Sequence, residues 1–439
     1  METVKTQPER AGTLELLSFS GGQFATSIFW AFMTYYLMGF YIDIALIPPE
    51  LAAVLLSFFF FYSAFSDVMI GLLINRLSLR EMKYRSYYKW CALPFALSLS
   101  SLCFVPQTSV AGKIAYIIIT LIICELLWTM LNIAALSLIT YIAKGDQNRS
   151  KMVSYSNMGS ILAYVVLGTF MMPLVNFFGG ANKQMGFATA LTMFAALAAL
   201  LHLNAYYRLR ERHDHRQIYR PALREVFSVI LRNRRMMLFS AGYCVYWIAD
   251  SFKNQTTYFY VIYNMGRAEL LPLVIMAGLL TSLLVQPFIP NLLAYAQKET
   301  LIIGGLFASS AAGFLFFAAG DSIPVLIAYV ILYGVFTAIA VNMIITAIVS
   351  FSDEIYERQK ISMSEVLISI ISFSSKIGIA IASGVSPMVL AKTGFLAQEA
   401  FQPAAVLAGI RMLYIICTAA GMALCGIIML FAFRRRLRF

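Results

Sequence analysis

Apolar runs of about 20 residues recur along the whole chain, the length at which an α-helix crosses a bilayer core. They lie near 17–40, 50–75, 88–106, 114–142, 153–178, 184–207, 236–263, 269–296, 300–318, 324–351, 362–391 and 409–433. A water-soluble fold of 439 residues would need far more charge than the 12% present here to cover its surface; soluble domains carry roughly 25%. Lipid accepts an apolar exterior, provided the backbone is satisfied inside helices or a closed barrel. The reading is an all-α membrane protein of about twelve transmembrane helices. The six cysteines (Cys91, Cys103, Cys124, Cys244, Cys417, Cys425) fall inside or at the edges of these runs without metal-ligand spacing, and read as small buried apolar residues. The first run is too long for the apolar core of a cleavable signal and more runs follow it, so no signal peptide is expected.

The net charge of +12 would fit a nucleic-acid partner if it were clustered on one surface. Instead it alternates from one connection to the next. The second connection holds Arg76, Arg80, Lys83, Arg85 and Lys89, and the third only Lys113. The fourth holds Lys144, Arg149 and Lys151, and the fifth only Lys183. The sixth, 208–235, holds nine, and Arg434, Arg435, Arg436 and Arg438 close the series. Of 33 Lys and Arg, 26 fall on one side. The basic side of a membrane protein is cytoplasmic, so both termini are expected there. The basic excess is topology, with membrane lipids as its neighbours and no nucleic acid.

The polar stretch 208–235 separates an N-terminal bundle, 1–207, from a C-terminal bundle, 236–439, each with six expected spans. Two six-helix halves joined by a basic cytoplasmic loop resemble the layout of the major facilitator fold. A faint echo links the halves: Asp146 to Lys151 follows the fourth span as Asp353 to Lys360 follows the tenth, each placing acids ahead of Arg-x-Lys. Gly21, Gly22, Pro287, Pro290 and Gly378 punctuate the spans, as close-packing points and kinks or as hinges.

Charge inside the bilayer is the strongest functional signal, because each such group costs at least about 2.5–3.5 kcal/mol at mid-membrane. Asp67 lies nine residues before Arg76, about 13 Å along a helix. Lys376 lies about 24 Å from Lys360 along a straight helix. Glu125 sits on the fourth span, as a proton carrier, a lipid-facing residue or a structural partner. Asp250 and Lys253 share a face of the seventh span, as a self-neutralising pair or as substrate contacts. Gln23, Thr26, Thr129, Asn132, Asn157, Asn254, Gln255 and Asn342 add uncharged polarity to the first, fourth, fifth, seventh and tenth spans, and Trp30, Trp128 and Trp247 add indoles for stacking or cavity lining.

Several segments resemble a known family. The run Ser66-Asp67-Val-Met-Ile-Gly71-Leu-Leu-Ile-Asn75-Arg76, followed by Lys83-Tyr84-Arg85, is similar to the Asp-Pro-x-x-Gly…Asp-Arg…Gly-Lys-Phe-Arg signature of the glycoside–pentoside–hexuronide:cation symporters. Leu136-Ser137-Leu138…Arg149…Met152-Val153-Ser154-Tyr155 resembles that family's Ser-Leu…Arg-Glu…Leu-Val-Pro-Tyr stretch. Asp353, Glu354 and Lys376 resemble its Asp-Tyr-Gly-Glu…Val-Val-Lys-Gly-Gly segment with matching spacing. The likeness runs in order from about residue 15 to 430.

The resemblance implies a cation-coupling site at Asp67, Ser63, Thr129 and Asn132. Ser63 and Asn132 stand where the family carries further carboxylates, so one acid remains of three. It implies substrate contacts at Gln23, Asn157 and Lys376, to which Thr26, Trp128, Asp250, Lys253, Asn254 and Asn342 are added from the polar and indole side chains within the spans. Arg76, Arg85, Arg149, Asp353 and Arg358 would form cytoplasmic gating contacts. Gln23, Leu136, Asn157 and Val341 replace the family's acid, tryptophan, arginine and tryptophan, which points to a less polar or larger solute.

The expected function is secondary active transport of a small glycoside-like or amphipathic solute across a bacterial inner membrane, with Na⁺ or H⁺ as the coupling ion, no other cofactor, and a monomeric protein. Export or lipid flipping on the same fold is the alternative, and a non-transporting scaffold or sensor is a third. An enzyme is not expected: no Ser-His-Asp order, HExxH or phosphate loop is present, His213 and His215 belong to the basic loop, and His202 is alone near a span end. The charge count makes one direct prediction. A fluorescent protein fused after Phe439 will fluoresce, and alkaline phosphatase at the same point will be inactive; the reverse pattern would invert the topology.

Overall fold

The computed structural model describes residues 12–37, 40–47, a subset of 51–73, 84–180, 182–212, 234–359, 364–395 and 401–433. The chain is helical almost throughout. Helix α1 (Thr13–Phe32) runs on into π-helical turns at Met33–Leu37 and Phe40–Ile44. Helical residues between 51 and 73 form α2. Then come α3 (Arg85–Ser101), α4 (Val110–Ile142), α5 (Asp146–Gly179) and α6 (Lys183–Arg208). Helix α7 (Arg234–Phe259) also passes into a π-helical turn, Tyr260–Asn264. Helix α8 (Leu271–Val285) tightens into a 3₁₀ segment, Gln286–Ala294, where Pro287 and Pro290 remove backbone donors. Helices α9 (Lys298–Ala319), α10 (Ile323–Gln359), α11 (Ser364–Thr393) and α12 (Ala404–Phe433, with a π-helical stretch Met412–Cys417) complete the chain.

Among the described residues, eight helices are long and apolar enough to cross a membrane. Helix α3, at 17 residues, is too short to count. Helices α1 and α7 carry too much polarity, including Gln23 and Thr26 on one and Asp250 and Lys253 on the other. Polar side chains that the sequence singled out therefore lower the hydropathy of α1 and α7, while α4 and α10 carry Glu125 and Asn342 within strongly apolar spans. Large apolar side chains point outward, such as Phe177 at 81% exposure and Leu315 at 68%. In water such a surface would drive aggregation; in lipid it is the expected exterior.

The chain divides into two compact units, residues 1–220 with 348–369 and residues 221–347 with 370–439. In the first, α1 packs on α5 and α6, α3 packs on α4 and α6, and α5 packs on α6. Gly159 of α5 is the closest approach: a Cβ there would overlap the Ser20 carbonyl of α1. Small residues at such crossings let helix backbones come within van der Waals contact, which drives association in lipid. In the second unit, α7 and α9 pack on α12. Gly421 of α12 faces Ala249 of α7, and a Cβ on Gly378 of α11 would lie 2.6 Å from the Cys244 carbonyl of α7.

One end of the first unit is tied by charge. Arg212, just past α6, makes a two-pronged ion pair with Glu15 at the start of α1, at 2.6 and 3.0 Å. The Arg210 amide donates to the same carboxylate at 2.9 Å. Paired, hydrogen-bonded charges of this kind are tolerated at low exposure.

Replacing Gly159 with valine should disrupt the α1–α5 crossing. Overpacking costs about 1–3 kcal/mol or more, so the variant should unfold several degrees below wild type in detergent; an unchanged midpoint would mean that the crossing relaxes freely.

Candidate functional site

The structure brings four oxygen-bearing side chains together in the first unit. Ser63 and Asp67 are one turn apart on α2, and Glu125 and Thr129 are one turn apart on α4, so each pair shares a helix face. The Ser63 hydroxyl donates a short hydrogen bond to Glu125 Oε1. The Thr129 hydroxyl lies 3.1 Å from Asp67 Oδ1 and 3.5 Å from Glu125 Oε1. All four residues are buried, at 0–1% exposure. Two acids and two hydroxyls from two helices therefore form one oxygen-lined cluster. A cation or proton is the natural guest of such a cluster inside hydrocarbon.

This geometry adds Glu125 to the residues that the resemblance groups at the site. The resemblance leaves one carboxylate, with the fourth-span position at Asn132. Here the second carboxylate is Glu125, one turn before Thr129 and bonded to Ser63. Asn132 is half-buried on α4 and makes no hydrogen bond to the cluster among the described residues. The signal was present as two i, i+4 pairs, Ser63/Asp67 and Glu125/Thr129.

Beside this cluster sits an aromatic group. Trp128 adjoins Thr129 in sequence, and its ring centroid is 5.5 Å from that of Trp30 in an edge-to-face arrangement. Phe29 lies 6.4 Å from Trp128 and 6.3 Å from Phe59. Trp30 is half-buried and Trp128 is 9% exposed. Indole faces of this kind stack on apolar ring surfaces while keeping a donor at the edge.

The other expected contacts divide. Thr26 is engaged inside the first unit: its hydroxyl bonds the Gly22 carbonyl and His202 Nε2, both at 3.0 Å. His202 of α6 is fully buried between Tyr88 and Phe95. It is not a lone residue at a span end, as the sequence reads; it partners the first helix. Gln23 is buried on α1 and Asn157 is half-buried on α5. In the second unit, Asn342 of α10 is fully buried and donates to Gln286 Oε1 of the 3₁₀ segment at 3.2 Å, so its amide is used between helices. Lys376 is buried on α11, two residues before the close crossing at Gly378.

Asp250 and Lys253 do not pair as a salt bridge. Asp250 accepts from the Tyr333 hydroxyl at 3.0 Å and from Asn254 Nδ2 at 2.8 Å. The Lys253 ammonium lies 4.7 Å from the Tyr333 ring centroid, over its face. The two side chains share a four-residue arrangement with Asn254 and with Tyr333 of α10, which carries no charge and gave no signal in the sequence.

Of the expected gating residues, Arg149 is buried and donates to the Ala143 carbonyl at 3.3 Å and to Ser350 Oγ at 3.4 Å. Ser350 in turn donates to Asp146 at 2.7 Å. Arg85 donates from its backbone to Glu211 at 2.9 Å and from its guanidinium to the Leu209 carbonyl at 3.2 Å. Arg76 lies outside the described residues, and so do the side chains of Asp353 and Arg358.

Comparison with known proteins gives the family and the fold. The family described as MFS/sugar transport protein matches residues 18–434. The isoprimeverose transporter of Lactiplantibacillus pentosus is 25% identical, over 95% of this chain and 88% of that protein. The glucuronide carrier protein homolog of Escherichia coli is 22% identical, over 94% of this chain and 90% of its own. Among solved structures, the major facilitator transporter FucP in the outward conformation aligns with a TM-score of 0.70 at 12% identity, over 95% of this chain and 98% of that one. The proton:xylose symporter XylE aligns with a TM-score of 0.66 at 14% identity, over 96% and 95%. These two likenesses carry the fold alone. The chain is a multi-pass membrane transporter and not an enzyme, and it belongs to the MFS/sugar transport protein family, the glycoside–pentoside–hexuronide group of the major facilitator fold.

Proposed function

We propose that the protein is a cation-coupled glycoside symporter of a bacterial inner membrane, with about twelve spans in two six-helix halves and both termini cytoplasmic. The observation that carries this reading is the oxygen cluster of Ser63, Asp67, Glu125 and Thr129. Two carboxylates buried in hydrocarbon favour a positive guest, and a monovalent cation, either Na⁺ or a proton, supplies that charge. The cluster adjoins Trp128 and Trp30, so an occupied cation site and a stacked sugar ring would stabilise one another. A guest that binds one conformation better shifts the protein toward it, which is how occupancy couples to alternating access. A neutral sugar is favoured by the isoprimeverose transporter among the relatives.

Lys376 and Asn157 complete the proposed substrate contacts of this reading, and Arg149 with Asp146 and Ser350 the proposed gate. Thr26 and Asn342 are left out, because His202 and Gln286 already engage them. A second reading, export, is supported by a relative from Salmonella typhimurium that carries a name for 2,3-dihydroxypropane-1-sulfonate export, 23% identical over 92% of this chain.

Proteoliposomes separate the readings. With an inward Na⁺ or H⁺ gradient imposed separately, wild type should accumulate a glycoside under one of them, and that gradient names the ion. Asp67→Asn and Glu125→Gln should each lower accumulation at least about tenfold, since each removes a charge-assisted interaction of about 1.5–3 kcal/mol, while sugar exchange without a gradient persists. Full accumulation by both variants would remove the cluster from coupling. Movement only when the cation gradient points outward would favour export.

A further inference from the structure

A second polar constellation lies in the other unit, 16 residues along α7 from its start at Arg234, or about 24 Å at 1.5 Å per residue. Tyr243, Tyr246, Trp247, Asp250, Lys253 and Asn254 recur at three- and four-residue intervals and so form one stripe of α7. The flanks of that stripe are occupied. Ala249 meets Gly421 of α12 on one side. Cys244 and Ile248, together with the Cβ of Trp247 at the edge of the stripe, meet Gly378 of α11 on the other, where Gln255 also bonds Ser383 at 2.8 Å. The stripe between them holds an acid, a cation and an exposed amide at the depth of the hydrocarbon. Such a face is costly against lipid; Tyr333 of α10 meets part of it, and the donors and acceptors it leaves over suit water or a solute.

The four groups are set up as hydrogen-bonding partners. Asp250 is held by two neutral donors, Tyr333 Oη and Asn254 Nδ2, at 3.0 and 2.8 Å. Each of its oxygens keeps a further lone pair. The Lys253 carbonyl accepts from Thr257 at 2.7 Å, whereas its ammonium shows no hydrogen bond or ion pair among the described residues and rests over the Tyr333 face at 4.7 Å. Three N–H donors are therefore uncommitted, beside a carboxylate already oriented by its neighbours. Aromatic faces bound the same stripe: Tyr243 and Tyr246 stack at 6.1 Å, and Trp247 stands edge-on to Tyr246 at 5.7 Å.

We propose that Asp250, Lys253, Asn254 and Tyr333 form a subsite that binds neighbouring hydroxyls of a neutral sugar and discriminates against uronic acids. The proposal rests on the sugar-transport reading above and names the charge class that reading leaves open. A hydroxyl needs one donor and one acceptor, and the pair Lys253 and Asp250 offers both. The subsite is neutral overall, so a ligand carboxylate attracted by Lys253 is repelled by Asp250 close by. A neutral polyol gains from both groups at once. Tyr333 acts as a positioning residue: it holds Asp250 through its hydroxyl and Lys253 through its ring.

The test uses two probes that differ only at the sixth carbon, 4-nitrophenyl glucoside and 4-nitrophenyl glucuronide, binding to the purified full-length protein. Wild type should favour the glucoside. Lys253→Met should weaken glucoside binding by about 10- to 100-fold, the usual loss for a hydrogen bond to a charged group. Asp250→Asn keeps the shape, removes the repulsion, and should shift the glucoside-to-glucuronide preference at least tenfold toward the glucuronide. Tyr333→Phe removes only the hydroxyl and should give a smaller shift in the same direction. A wild type that prefers the glucuronide, or variants that leave the preference unchanged, would overturn the subsite while sugar recognition stands. Absence of binding to both probes and to a panel of neutral disaccharides would overturn the sugar reading itself, and the subsite with it.

Discussion

Everything specific to this chain depends on the cost of keeping carboxylates in hydrocarbon. Asp67 and Glu125 are both buried at the interior of the first unit, joined through Thr129 and anchored by Ser63. Each acid would be expensive alone. Drawn together, with two hydroxyls supplying further oxygen, they make a place that favours a positive charge. Elsewhere in the first unit the Gly159 crossing joins α1 to α5, and the Glu15–Arg212 ion pair ties the start of α1 to the segment after α6.

The second unit uses a different device. Its seventh helix carries acid and cation on one stripe but leaves them unbridged, with Tyr333 between them. A direct salt bridge would have cancelled both groups internally. Holding Asp250 with neutral donors keeps its charge in play and leaves the Lys253 donors available. The two units thus arrange charge differently: one draws two acids together through hydroxyls, and the other sets an acid and a cation against one tyrosine.

Much of this was legible in the sequence. The apolar runs and the alternation of Lys and Arg need no tertiary information, because bilayer thickness and loop charge act on each segment locally. The family likeness followed from motifs such as Ser66 to Arg76. What the sequence could not reveal were partners far apart in the chain. Thr26 and His202 are 176 residues apart, and Ser63 and Glu125 are 62 apart. Glu125 stood out as an intramembrane acid but was not grouped with Asp67, because alignment to a motif looks for an acid at one position, Asn132, whereas Glu125 lies one turn before Thr129 and reaches the cluster from there. Tyr333 escaped because an uncharged tyrosine in an apolar helix looks like any other core residue. His202 escaped for the opposite reason, since an isolated histidine gives no pattern until the first helix is laid against it.

The central claim is that Glu125 completes the cation site from the fourth span. If so, cation and sugar must raise each other's affinity by the same factor. The direct measurement is the dissociation constant of a bound glycoside in wild type and Glu125→Gln, across a Na⁺ series at fixed pH and a pH series without Na⁺. The account predicts that wild-type affinity rises with one of the two cations and that this dependence is flattened in Glu125→Gln, with sugar binding itself retained. An equally steep cation dependence in the variant would contradict it.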